Sequence, residues 1–186
     1  MTEELSEIYV KALAEVHSLG AIFEETLKKI EPDFSAQKFT ALFEILLQHS
    51  LLEVASYDDK ICKEELELIR KTACYGDIVG FSNTLGKGHI KWKDLMTADI
   101  ASVRTWLAGM RKILEPMIND FSVKFAAFDA MVDGDSLANV LEGVSTLTTI
   151  LSAVDGELNA EEAQSVSGTL IFDAFRAIRL LGSGIG

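Results

Sequence analysis

Proline is scarce: Pro32 and Pro116 are the only two among 186 residues. Proline breaks helix interiors, so most of this chain is open to long, uninterrupted helices. Cysteine is equally rare, and Cys62 and Cys74 stand twelve residues apart. On one helix that separation is roughly 18 Å, beyond the reach of a disulfide. A disulfide-built scaffold is excluded, and a reduced, cytosolic setting is expected. No apolar run approaches the roughly 20 residues that span a bilayer. The acidic start, Met1 to Glu7, reads as an amphipathic helix rather than a signal peptide. Cations are few, with 17 Lys and Arg against 29 Asp and Glu, for a net charge of −12. Such a surface repels phosphate backbones, so direct nucleic-acid binding is not expected. Period-two alternation between hairpin turns is also missing, which argues against a sheet.

Apolar residues are plentiful at 48%, enough for one well-buried core in a chain of this length. Leu5, Ile8, Tyr9, Ala12, Val16 and Leu19 keep helical spacing behind Thr2, Glu3 and Glu4. Gly20 can bend or break this first element, and Glu31-Pro32 stops it. The next helix carries Phe39, Leu42, Phe43, Leu46, Leu47 and Val54. It is apolar around most of its circumference, so it should be central. A third helix runs from the Cys62 region to about Tyr75, and a short one is expected at Trp92–Met96. Thr97 or Asp99 caps a long helix bearing Ile100, Val103, Trp106, Leu107, Met110 and Leu114, which Pro116 kinks or divides. Ser136 opens another, and a last helix ends near Leu181. The reading is all-α, a single domain of about seven helices with two related helix–loop–helix halves. Residues 1–34 form an N-terminal helical extension, 35–181 the main domain and 182–186 a flexible tail.

The halves are announced by a repeat. Val54 to Leu66 and Leu151 to Ala163 each run from an apolar stretch into an aspartate. A glutamate follows each aspartate after seven positions: Asp58 to Glu65, and Asp155 to Glu162. Capping explains much of this spacing. Asn159 and Glu162 form a capping box, Cys62 and Glu65 hold the same places in the first copy, and Gly156 supplies the turn. A divalent-cation site explains it too, with each loop offering carboxylates to a shared ion. One loop alone does not satisfy calcium, which takes 6–8 oxygens, because Leu151 and Ala153 occupy the first two ligand places of an EF-hand register.

The repeated pattern, apolar–x–x–Asp–Gly–x–aliphatic–polar–x–x–Glu, resembles that of the tellurite-resistance TerB family, including the domain of some DnaJ-like membrane proteins. The second copy, around Ala153 to Glu162, matches well, whereas the first departs at Asp59 and Cys62. The resemblance covers about residues 35 to 181. It implies an all-helical fold with two related halves, and a weak divalent-metal site for calcium, magnesium or manganese at Asp58, Glu65, Asp155 and Glu162. It also implies a non-enzymatic, cytoplasmic stress-response or interaction module, working through partner proteins at the membrane without a transmembrane segment of its own. Two rival readings are a metal-assisted hydrolase using clustered carboxylates and a purely structural helical subunit.

Other chemistry finds less footing. Gly80 to Lys87 has one residue too many for a phosphate-binding loop, and Gly88 stands where Ser or Thr should hold magnesium. His17, His49 and His89 are scattered, without zinc-site spacing. His49 is expected to be a satisfied interior residue. Cys62 lies near a helix start, a place that can lower a thiol pKa, but no oriented base accompanies it and a structural cysteine is expected. Charge is uneven: Lys87 to Lys112 leans basic through Lys87, Lys91, Lys93, Arg104, Arg111 and Lys112, while Asp120 to Glu162 is acidic except for Lys124. Two solvated faces are the simplest reading.

Overall fold

The computed structural model describes residues 3–32, 36–57, 60–71, 95, 97–132 and 136–154. These residues are helical with short turns between, and there is no strand among them. Five helices are seen: α1 (Glu3–Ile30), α2 (Ala36–Ala55), α3 (Lys63–Lys71), α4 (Ile100–Val132) and α5 (Ser136–Ser152). The final helix and most of the Trp92–Met96 helix lie outside the described residues, as do Cys74 and Gly80 to Lys87. None of the described helices is long and apolar enough to cross a membrane.

As its composition predicts, α2 is the hub, packing against all four other helices. Leu46, Leu47, Leu51, Leu52 and Val54 are all buried. The remaining core comes from Tyr9, Val16 and Leu27 of α1, Leu68 and Ile69 of α3, Leu107 and Leu114 of α4, and Leu147 and Leu151 of α5. Neither Gly20 nor Pro116 divides its helix. The first helix runs through Gly20 to Ile30, and α4 runs through Pro116. Pro116 is exposed, along with Lys112 and Glu115. The hydrogen bond that its missing N–H denies to the Lys112 carbonyl is lost on the solvent side of the helix, where such a loss costs less than in the core.

Asp99, rather than Thr97, caps α4. Its Oδ1 accepts from the Ser102 amide at 2.9 Å and its Oδ2 from the Ser102 hydroxyl at 2.6 Å. Those bonds hold the Asp99 carboxyl below its ordinary range. The end of α3 is closed from two sides. Tyr9 Oη donates to the Leu68 carbonyl at 3.2 Å, and Gln48 Nε2 to the Ile69 carbonyl at 3.5 Å. Burial pushes the Tyr9 phenol up, so it stays a donor there.

Long-range contacts fix the direction of the helices. Arg104, near the start of α4, reaches the carbonyls of Ser56 and Tyr57 beyond the end of α2. Arg111 pairs with Glu53 at 3.2 Å, and Lys124 pairs with Glu31, just ahead of α2, at 3.4 Å. Helices α2 and α4 are therefore antiparallel. Three residues separate α4 from α5, and α5 packs against α1, α2 and α4.

Candidate acidic-loop site

The first acidic loop is held at both flanks. On the near side, α2 closes with tight turns: the Ser56 amide donates to the carbonyls of Leu52 and Glu53 at 3.0 and 3.2 Å, and the Tyr57 amide to Val54 at 3.0 Å. Arg104 then donates from Nε to the Ser56 carbonyl at 2.7 Å and from Nη2 to the Tyr57 carbonyl at 2.8 Å. A forked cation on the open carbonyls of a helix end satisfies them and offsets the negative end of the dipole.

On the far side, Cys62 and Glu65 make the capping box that their spacing suggests. The Cys62 amide donates to Glu65 Oε2 at 2.6 Å, and the Glu65 amide donates to Cys62 Sγ at 3.4 Å. Sulfur is a weak acceptor, so the carboxylate carries most of this cap. Glu65 is only 3% exposed, which makes its bonded oxygen a structural requirement. The pKa of Cys62 does not fall as its helix-start position suggests. Burial pushes the thiol up to about 11; the Glu65 carboxylate adds to the rise, against a downward pull from the Glu65 and Glu64 amides. Exposed Glu64 is shifted down, by its own amide first and then by Cys62. Cys62 should therefore alkylate slowly. In a Cys74→Ala background, its rate with iodoacetamide is expected to climb about tenfold per pH unit from pH 7 to pH 9. A plateau below pH 8 would show a low-pKa thiolate instead.

The second copy can be followed to Val154. The Ala153 amide donates to Ile150 at 3.1 Å and the Val154 amide to Leu151 at 3.2 Å. These bonds occupy positions equivalent to Ser56–Glu53 and Tyr57–Val54 in the first copy. Burial follows the repeat only in part: Leu47, Ser50, Leu51 and Val54 match buried Val144, Leu147, Thr148 and Leu151, but buried Gln48, His49 and Leu52 correspond to Ser145, Thr146 and Thr149, which are not buried. The structural repeat is therefore clearest in the turn bonds before each aspartate. Of the four candidate metal residues, Glu65 alone is described; Asp58, Asp155 and Glu162 lie outside the described residues. Among the described residues, no group of three or more His, Cys, Asp or Glu side chains is gathered for a metal.

No known family, curated protein or solved structure matches this chain.

Two further features bear on chemistry. The buried hydroxyls of α5 are turned onto their own helix: Thr148 donates to the Ser145 carbonyl at 2.8 Å and Ser152 to the Thr148 carbonyl at 3.0 Å. An open groove of about 460 Å³ runs along the contact between α1 and α5, with Glu15 and Glu142 among its lining residues. Its threonine, Thr146, donates to the Glu142 carbonyl at 3.0 Å. Sequence reasoning missed Arg104 and Arg111, which it assigned to a basic surface stretch. No local signal reveals their roles, because their partners lie 47 to 58 residues away.

Proposed function

We propose that this chain is a non-enzymatic, TerB-like interaction module of the stress-response type, in which the two acidic loops together hold a divalent cation weakly. The ion, bound by Asp58, Glu65, Asp155 and Glu162, would order the loops as a docking surface for partner proteins. One observation carries the reading: the matching pair of turn bonds that precedes each aspartate. Equivalent turn bonds close both helices just before their aspartates, and α5 packs on α2, which favours a shared site. The Cys62 amide orients the Glu65 carboxylate, as hydrogen bonds orient metal-binding carboxylates generally. The net charge of −12 favours cations at such a surface.

Isothermal titration with calcium, magnesium and manganese tests this directly. A dissociation constant on the order of 0.1–1 mM is expected, typical of weak oxygen-ligand sites. Asp58→Asn and Asp155→Asn should each abolish the heat if the loops share one ion. Silence at millimolar metal, or heat unchanged by both substitutions, rules the cation out.

A further inference from the structure

The open groove along α1 and α5, about 460 Å³ in volume, has a floor and a rim of different chemistry. Ala12 and Val16 of α1 are buried beneath it, and Gly143 of α5 adds bare backbone instead of a side chain. The floor is therefore apolar. Glu15 of α1 and Glu142 of α5 also line the groove, and both are exposed. No lysine or arginine lines it, and Glu142 is the only charged residue in the sequence of α5. Among the described residues, no ion pair includes Glu15 or Glu142.

Glu15 has an isoleucine one heptad away on either side, Ile8 and Ile22, which are 46% and 52% exposed. A heptad is close to two full turns, so the three residues share one face of α1 at intervals of about 10 Å. That face reads apolar, acidic, apolar, and its acidic centre opens into a groove with an apolar floor. Single exposed isoleucines are ordinary, but these two stand in register with the groove and its carboxylates. A partner that covers them gains apolar burial.

Two carboxylates above an apolar floor suit one kind of side chain, a long aliphatic stem ending in a cation. The stem lies on Ala12 and Val16, and the head reaches Glu15 and Glu142 at the rim. An apolar ligand would take water from the carboxylates without replacing it, and an anionic one would be repelled. The partner's geometry follows from the 10 Å interval. A helix presents side chains one heptad apart on one face, whereas an extended chain covers the same distance in about three residues and turns them to opposite faces.

We propose that this groove docks a cationic amphipathic helix of a partner protein. One Lys or Arg of that helix lies between Glu15 and Glu142, and apolar residues one heptad to either side cover Ile8 and Ile22. The surface is independent of the cation reading, because it shares no residue with Asp58, Glu65, Asp155 or Glu162; metal titration and the experiment below can fail separately.

The test is heteronuclear NMR of the full chain titrated with a synthetic helical peptide: one central lysine, leucine a heptad to either side, alanine and glutamine elsewhere. Amide signals of Ala12, Glu15, Glu142 and Gly143 are expected to shift together and saturate by about 1 mM peptide. Norleucine in place of the lysine should weaken binding about five- to tenfold, as should Glu15→Gln combined with Glu142→Gln. Raising salt to about 0.5 M should weaken the lysine peptide alone, through screening. Ile8→Ser with Ile22→Ser should weaken both peptides. The proposal is overturned by the absence of saturable shifts, by shifts confined to other helices, or by equal affinity for the lysine and norleucine peptides. That last comparison uses the unsubstituted chain, so it decides even where a variant fails to fold. A dimer in sedimentation that Ile8→Ser with Ile22→Ser dissolves also overturns it, since a second copy then covers the face.

Discussion

Valine in place of Gly143 is expected to destabilise the fold by about 1–3 kcal/mol, the usual cost of forcing carbon into a filled core. A Cβ built on Gly143 falls inside van der Waals contact with Val16 Cγ2. Val16 is wholly buried on α1, so its methyl has no solvent to move into. The missing side chain is what lets α1 and α5 approach this closely. Gly109 on α4 is the matched control, because nothing lies within 4 Å of the Cβ it would gain. Gly109→Ala should therefore stabilise by about 0.5–1 kcal/mol through helix propensity and a less flexible unfolded chain. Urea unfolding of both variants measures the contrast. Equal signs would mean that the α1–α5 contact is looser than described.

Arg104→Met should cost about 1–2 kcal/mol, the second large effect. Two charge-assisted bonds of 2.7 and 2.8 Å are lost, each worth about 1.5–3 kcal/mol where water is excluded. Arg104 is exposed on its outer side, and water takes over part of the carbonyl bonding, which lowers the sum. Arg104→Lys should recover less than half of the loss, since an ammonium lacks the planar fork that spans adjacent carbonyls. Because Tyr57 immediately precedes Asp58, the variant should also weaken any cation affinity of the first loop. Chemical denaturation and metal titration of the same three proteins read both effects. Full recovery by lysine would reduce Arg104 to a point charge at a helix end.

What the sequence discloses and conceals follows from the range of each interaction. Helical spacing around α2 depends on near neighbours, so its central position is legible from Leu46, Leu47 and Val54. The same holds for the Cys62–Glu65 box, whose partners are three residues apart. Pro116 does not divide α4, and it lies on the exposed side of that helix. At Cys62 burial outweighs the helix-start amides that favour a thiolate, in keeping with a structural rather than a reactive cysteine. Expected to be satisfied, His49 is bonded at one nitrogen only. Arg104 and Arg111 are illegible because their partners are remote in the chain and become close only after α4 docks. Of the candidate site, the Glu65 flank and the equivalent helix endings are visible; the other three carboxylates lie outside the described residues.

The continuity of α4 has a mechanical side. Its 33 residues make a rod of about 50 Å, while a compact chain of this length has a radius of gyration of about 16 Å. One unbroken strut therefore runs from the Arg104 clamp, beside the first acidic loop, past the opposite end of α2. Both ends of α2 are thus tied to one helix, by Arg104 beyond its last residue and by Lys124 through Glu31 ahead of its first.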